Sequence, residues 1–332
     1  MYRSLVLLFI LIGLTACGGG RSAVVPEGPA WLDGTSAKYP NSQYIVGTGQ
    51  SSSLDDAKNR ARAEVAKVFE VAINEQSRDN LQYVAEGAAS ELTQKVERNT
   101  TSRTSKVLRG VEIADTWFDS KARQHYALAV LHRGRSARAL RQQLEELDQA
   151  TRIHIDKARK SNDKLTKVAN AYAALTIQME RAGVQRSLQV VDNSGRGVPP
   201  EWNLAELNTD LRSQMERIRI VPRASGPEGF TEQVSGVLGA SGFLVKEGET
   251  PDFTLSASLR LGEAEMRDNW YWVNGRMEIL LSNAQGRIRG SQRWDIKTSA
   301  TSRDVAYKRA MDKATNTLKG ELRETLLGFA KE

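Results

Sequence analysis

The only cysteine of the chain, Cys17, stands at the end of a short apolar segment near the N-terminus. A single cysteine excludes an internal disulfide, a CxxC redox centre and a zinc site built from cysteines. The three histidines, His125, His132 and His154, are too dispersed to predict a histidine-rich metal site. What Cys17 does must therefore be read from the residues that precede it.

Those residues have the organisation of a secretory signal. Arg3 supplies a positive charge, and residues 5–14 are almost all apolar but too few for a membrane span, which takes about 20 residues. The motif Leu14-Thr15-Ala16-Cys17 resembles the bacterial lipobox, whose cysteine thiol receives a diacylglyceryl group before cleavage. We predict lipid attachment at Cys17, with acyl chains such as palmitate, and signal cleavage between Ala16 and Cys17. The alternative is a free cysteine in an ordinary signal peptide.

Lipid attachment would anchor the protein to a membrane, because each buried CH₂ of an acyl chain contributes about 0.8 kcal/mol. Residues 17–30 begin with a glycine run and show no apolar periodicity, so we predict a lipidated flexible tether. By resemblance to the lipoproteins of Gram-negative bacteria, Gly18 in place of an aspartate favours the outer membrane. We therefore expect a lipid-anchored outer-membrane protein that faces the periplasm.

Motifs of catalysis and of cofactor binding are missing from the sequence. Gly47-x-Gly49 lacks the third glycine of a dinucleotide-binding turn, and we interpret it as a tight turn from strand to helix. Residues 239–242 do not form GxSxG and are typical of a helix end before a strand. We predict no catalytic residues, no metal, no cofactor and no enzymatic activity. The alternative is an envelope hydrolase whose carboxylate pair or Ser–His contact is brought together only by the fold.

Two tryptophans stand out along the predicted strand over residues 270–281. Its apolar residues fall at odd positions, and Trp270 and Trp272 fall at even positions. Because side chains alternate between the two faces of a strand, we predict both rings on the face opposite the apolar row. They would form an aromatic binding surface for sugar rings or a partner protein. The alternative is that helices cover this face and bury both rings.

Charge gives a weaker indication of function. The formal net charge is +7, but Lys, Arg, Asp and Glu are interspersed without a long basic run. This pattern favours a mixed, solvated surface and no nucleic-acid partner. The alternative is a binder of anionic polymers, whose affinity would fall steeply with salt.

The length of 332 residues and the apolar fraction of 40% predict more than one folded core. The fold class we predict is α+β, with two small α/β domains built on antiparallel sheets and joined by a long helix or a helical hairpin. The predicted segments are a signal peptide (1–16), the tether (17–30), an α/β domain (31–135), a helical segment (136–183) and a C-terminal α/β domain (184–332).

In the first half, we predict a strand at 44–49, a helix from residue 54 and a hairpin over 107–130. Residues 99–102 are predicted as strand or loop. Residues 138–181 form either one helix or a hairpin broken at 161–163. Their apolar stripe packs within the chain or makes a coiled-coil contact with another protomer. Gly183 is expected to end this helix, and residues 188–191 to form a strand.

In the second half, clear alternation predicts strands at 253–261, 270–281 and 288–296. Helices are predicted at 204–215 and 230–238, with a terminal helix from residue 302. Short strands are predicted at 218–221 and 243–245. This order of elements is typical of an α+β sandwich.

Several of these segments resemble a known family. Pro29-Ala30-Trp31, residues 44–49, the helix over 56–66, Trp117 and the strand at 126–131 resemble the Lpp-twenty family of bacterial outer-membrane lipoproteins. That family is also similar to the N-terminal domain of flagellar assembly protein T. The resemblance covers about residues 29–135 and implies a helix on a small antiparallel sheet, with no catalytic residues. Residues 204–332 more weakly resemble lipoprotein activators of penicillin-binding proteins.

Together these observations predict a non-enzymatic binding or scaffolding lipoprotein of cell-envelope assembly, either associated with flagella or rings or regulating a peptidoglycan synthase. We expect an envelope protein partner or a homo-oligomer. The alternatives are an envelope hydrolase and a glycan- or anionic-polymer-binding lipoprotein.

Overall fold

The structure is a computed structural model that describes residues 28–33, 36–81, 89–245 and 250–330. The predicted lipid-attachment residue Cys17, the cleavage site beside it and most of the predicted tether lie outside the described residues. The described chain begins with a short 3₁₀ helix at Ala30–Asp33. Trp31 in this turn is buried, and its indole nitrogen donates a 2.9 Å hydrogen bond to Asp115. The described structure therefore begins near the end of the predicted tether.

The first sheet has three strands, and their order is β1-β3-β2 with antiparallel pairing throughout. The predicted first strand and the predicted hairpin are both confirmed. The hairpin strands are β2 and β3, and two helices, α1 and α2, lie between β1 and β2 in the chain. The bounds are β1 (Tyr44–Ser51), α1 (Leu54–Leu81), α2 (Ala89–Leu108), β2 (Glu112–Asp119) and β3 (Gln124–His132).

Helix α1 lies directly on β1 through small residues. Ala57 and Ala61 are fully buried, and Gly47 and Gly49 face them from within the strand. A Cβ atom at Gly49 would lie only 2.1 Å from the carbonyl oxygen of Ala57. The interpretation of this glycine pair as a tight turn is wrong, because both residues lie inside β1. The pair instead allows helix and strand backbones to come into contact.

Residues 99–102 are helical, so the prediction of strand or loop is wrong there. They belong to α2, whose Thr100 and Thr104 side chains are buried. Threonine is a weak helix former, but packing against a neighbouring helix overrides that preference. A Cβ atom at Gly183 would lie 2.5 Å from Thr100 Cγ2, so the missing side chain of Gly183 makes room for the threonine.

The helical segment is a hairpin of two 28-residue helices, α3 (Arg133–Lys160) and α4 (Lys164–Val191). The helix is interrupted at residues 161–163, so the predicted hairpin is confirmed and the single helix is wrong. The stripe residues Leu140, Leu144 and Leu147 are buried in the core beneath the first sheet. Within the described chain, this stripe packs against the protein's own elements.

Two predictions about the end of this segment are wrong. Gly183 does not end the helix, and residues 188–191 are not a strand, because α4 continues to Val191. Val184, Leu188 and Val191 recur at helical spacing and are buried in the first core. A helix whose apolar face is buried by other elements tolerates an interior glycine, which costs roughly 1 kcal/mol.

The second sheet has strand order β5-β4-β6-β8-β7, with β9 paired to the other side of β8. Its strands are β4 (Arg219–Ser225), β5 (Leu244–Val245), β6 (Phe253–Leu261), β7 (Glu265–Arg267), β8 (Trp270–Asn283) and β9 (Ile288–Ala300). Strand β4 is parallel to β5 and β6, and the other pairs are antiparallel. The predicted α+β class is confirmed. The two parallel pairs differ from the prediction, which had antiparallel sheets.

Three helices accompany this sheet: α5 (Leu204–Met215), α6 (Phe230–Ala240) and α7 (Arg303–Gly328). Ala306, Ala310 and Ala314 of α7 are fully buried beside Val273 and Met277 of β8. The N-terminal half of α4 joins the same core, whereas its C-terminal half joins the first core. Helix α4 is thus shared between the two cores.

The turn between α3 and α4 is tied to the second sheet by charge. Asp163 caps α4 by accepting a 2.8 Å hydrogen bond from the Thr166 amide, and Arg289 donates to both of its oxygens at 2.8 and 3.2 Å. Burial would raise the pKa of Asp163, but the hydrogen bonds from Arg289 and Thr166 outweigh it and hold the pKa below its ordinary value. The charged form of Asp163 therefore stabilises the folded state.

We expect Asp163→Asn to lower the free energy of unfolding by about 1 kcal/mol at pH 7, since the amide keeps the helix cap but loses the charge. The folded pKa lies below the unfolded value of about 3.9, so this stabilisation is complete above that value. It is lost as the pH falls through the folded pKa. Urea unfolding at pH 7 and at a series of lower pH values measures the difference, which should shrink as the folded carboxyl is protonated.

Asp55→Asn is the matched control, because Asp55 also lies in the first turn of a helix but its side chain is 88% exposed. It should change stability by no more than about 0.5 kcal/mol. A loss for Asp163→Asn that stays constant as the pH falls would contradict the assignment to charge.

Candidate interaction surface

The two faces of the second sheet differ in their surroundings. Along β6 and β8, buried residues alternate with residues that stay exposed or half-buried. The described helices that pack on this sheet, α6 and α7, share a core with the buried row. We call the opposite, outward-facing row of side chains the open face. Polar residues dominate it, as expected for a sheet with one solvated side.

Trp270 and Trp272 lie on the open face, at the predicted parity. Trp270 is 42% exposed and Trp272 is half-buried, so the alternative in which helices bury both rings is wrong. Lys297 of β9 places its ammonium nitrogen 5.1 Å from the centre of the Trp272 ring. This is a cation–π arrangement, which is worth about 0.5–1 kcal/mol at an exposed site. The binding role of the two tryptophans stays a prediction.

A tight hairpin positions Trp270 at one end of the sheet. Asp268 and Asn269 form the two-residue turn between β7 and β8, with φ angles of 52° and 61°. Aspartate and asparagine tolerate positive φ better than other non-glycine residues, which suits this kind of turn. The hairpin also leaves the Met266 side chain 61% exposed. The end of the sheet therefore presents large apolar side chains to solvent.

Charged residues occupy much of the rest of the open face. Arg276 of β8 lies 3.7 Å from Asp295 of β9, and Arg293 of β9 lies 3.3 Å from Glu278 of β8. The strand registers place further charges on the same side, and basic residues outnumber acidic ones. The basic residues are Arg223, Arg260, Arg267, Arg276, Arg293 and Lys297, and the acidic residues are Glu265, Glu278 and Asp295.

The first sheet and the turn that precedes it correspond to a known family. Residues 29–132 match the LPP20 lipoprotein family. This match confirms the resemblance seen in the sequence and supports a lipoprotein. We call residues 29–132 the LPP20 region. The comparisons do not show the predicted similarity of residues 204–332 to lipoprotein activators of penicillin-binding proteins.

Two solved structures are distantly similar to this chain. The secreted protein HP1454 of Helicobacter pylori is 11% identical, with a TM-score of 0.43, over 83% of this chain and 96% of that protein. A candidate lipoprotein from Caulobacter crescentus is 16% identical, with a TM-score of 0.26, over 33% of this chain and 89% of its own. No curated protein matches the chain significantly in sequence.

The three histidines have local structural contacts. In the LPP20 region, the His125 ring packs 4.6 Å from Phe118, and His132 caps α3 by accepting from the Arg135 amide at 3.4 Å. His154 lies outside that region and makes a 2.8 Å hydrogen bond with Asn170. Among the described residues, no group of three histidine, cysteine or acidic side chains is arranged to hold a metal ion.

Residues 239–242 end α6 before β5, as predicted, and the buried Ser241 hydroxyl donates to the Val237 carbonyl at 2.8 Å. None of the described helices combines the length and the apolar character needed to cross a membrane. Sequence reasoning missed Lys297, although the alternation along β9 places it on the open face.

Proposed function

We propose that the protein is a periplasm-facing lipoprotein of the outer membrane that acts as a non-enzymatic binding or scaffolding factor in cell-envelope assembly. The observation that carries this proposal is the open face, with its two accessible tryptophans and its dense charge. Tryptophan and arginine are the residues most enriched at the energetic centres of protein interfaces. The match to the LPP20 lipoprotein family supports the anchor.

The position of the anchor follows from the N-terminal sequence. Lipidated Cys17 would hold the chain at the membrane, and Gly18 favours the outer membrane over the inner one. About ten residues separate Cys17 from the first described residue, Gly28. The predicted flexible tether of that length would reach roughly 20 Å. The LPP20 region would therefore stay next to the membrane, and α4 would carry the second sheet away from it.

A second candidate function is the binding of a glycan or an anionic polymer. The stacking of Lys297 on Trp272 and the excess of basic residues on the open face favour it. An aromatic platform suits sugar rings, and the basic residues suit carboxylate or phosphate groups. Binding of this kind weakens steeply as ionic strength rises, whereas binding centred on tryptophan side chains does not.

We expect cross-linking in intact cells, followed by mass spectrometry, to recover a defined envelope protein with the wild-type chain. Cys17→Ala should abolish labelling with radioactive palmitate and remove that cross-link, because the protein leaves the membrane. The double variant Trp270→Ala/Trp272→Ala should keep the palmitate label but weaken partner binding about 30-fold, the effect of losing about 2 kcal/mol at an interface centre.

Phe118→Ala is the matched control, since Phe118 is an aromatic side chain 49% exposed on the first sheet. It should leave both the label and the cross-link unchanged. Palmitate labelling that survives Cys17→Ala would contradict the anchor. A cross-link that survives loss of both tryptophans would contradict the open face as the binding site.

A further inference from the structure

A small cavity lies between α4, α5 and α7, on the core side of the second sheet and away from the open face. Its volume is about 150 Å³. Apolar side chains form most of its wall: Leu92, Tyr172, Leu175, Leu211 and Met215. A dry cavity of about this size in another protein accommodates benzene. The space therefore suits a compact organic molecule.

One wall of this cavity carries a buried positive charge. Arg323 of α7 is only 8% exposed, and its Nε donates a 2.9 Å hydrogen bond to the Ser241 carbonyl. Its two Nη nitrogens have no hydrogen-bond partner among the described residues, and the residue lines the cavity. A buried guanidinium without an anionic partner is costly, because the charge has left water without compensation.

The neighbouring charges do not neutralise Arg323. Arg212 and Glu216 also line the cavity, so one positive charge is in excess. The nearby Glu324 is held by Lys95 at 3.1 Å and by the Tyr172 hydroxyl at 3.4 Å. Burial lowers the pKa of the Arg323 guanidinium, and the charge of Arg212 lowers it further, although Tyr172 raises it. An anion placed against the unpartnered Nη nitrogens would compensate the buried charge.

We propose that this cavity binds a small monocarboxylate with a compact apolar body, whose carboxylate pairs with the Nη edge of Arg323. Two parallel N–H···O bonds match a carboxylate to a guanidinium edge. A monoanion fits better than a phosphate dianion, because the apolar walls make desolvation of a second charge expensive. The apolar body of the ligand would contact Leu175, Leu211 and Met215.

The test is calorimetric titration of the full chain in detergent, with the same titration into empty micelles subtracted. Benzoate is the probe, and benzamide is its uncharged isostere. We expect benzoate to bind at least tenfold more tightly than benzamide, since hydrogen bonds to charged groups are worth that factor or more. Phenylphosphonate should bind at least tenfold more weakly than benzoate.

Arg323→Met removes the charge at nearly constant side-chain volume. It should lower the affinity for benzoate at least tenfold and change the affinity for benzamide less than twofold. Arg293→Met, which removes an arginine from the open face, is the control and should change neither. Leu211→Phe fills the cavity, leaves Arg323 intact and should lower the affinity for both ligands. It also keeps the proposal testable if Arg323→Met does not fold.

Four results would overturn the proposal. They are equal binding of benzoate and benzamide, absence of benzoate binding at millimolar concentration, binding unchanged in Arg323→Met, and tighter binding of phenylphosphonate than of benzoate. The cavity is separate from the open face, so failure here leaves the proposed function untouched.

Discussion

Replacing Gly49 with alanine is expected to lower the free energy of unfolding by about 3 kcal/mol, the upper end of the usual cost of overpacking. The added Cβ would lie 2.1 Å from the Ala57 carbonyl oxygen and 2.4 Å from the Ala61 amide nitrogen. Both atoms belong to the backbone of α1, so no side-chain rotation relieves the clash. Relief requires α1 to move away from β1, which opens the core beneath the first sheet.

Urea unfolding followed by circular dichroism measures this effect. The matched control is Gly236→Ala in α6, where a Cβ atom would meet nothing within 4 Å. That variant should be more stable than wild type by about 0.5–1 kcal/mol, because alanine is the better helix former. A free energy of unfolding for Gly49→Ala within about 1 kcal/mol of the wild-type value would be a smaller change than overpacking usually causes. That result would mean that α1 is not in backbone contact with β1.

Replacing Arg181 with methionine should lower the free energy of unfolding by about 3–5 kcal/mol, the cost of breaking a buried ion pair from one side. The Arg181 side chain is 2% exposed and donates to Asp148 at 2.7 Å. It also donates to the carbonyls of Val198 and Pro199, at 3.2 and 3.1 Å. The variant therefore leaves a carboxylate and two carbonyls without this donor, and it frees the segment that follows α4.

Arg152→Met is the control for this prediction. Arg152 forms an ion pair of similar geometry with Glu201 at 2.6 Å, but its side chain is 59% exposed. An exposed pair contributes about 0–1 kcal/mol, so the two variants should differ clearly in chemical denaturation. Equal losses would show that Arg181 contributes as a surface residue does.

The correct predictions from the sequence have one physical reason in common. Strands β6 and β8 pack one face on a core and expose the other, so their apolar residues alternate along the chain. The same alternation placed Trp270 and Trp272 on the open face. In each case the burial of a residue follows from its position within one element, which a single sequence reveals.

The errors arose where two distant elements decide the outcome. Thr100 and Gly183 are poor helix residues taken alone, yet each is helical because it packs against the other. Lys297 meets Trp272 through the pairing of β8 with β9. Arg323 is buried because α7 packs beside α4 and α6. Its spacing within α7 does not distinguish it from its charged neighbours. Such pairings arise only on folding.

Helix α4 is built into both cores, with Leu165 and Leu175 in one and Leu188 and Val191 in the other. Helix formation is cooperative, so melting of one core removes the packing that supports half of α4 and weakens the half on which the other core packs. We therefore expect the folding of the two cores to be coupled through α4. A molecule that occupies one half raises the melting temperature of both, and each half is incomplete when the chain is cut between them.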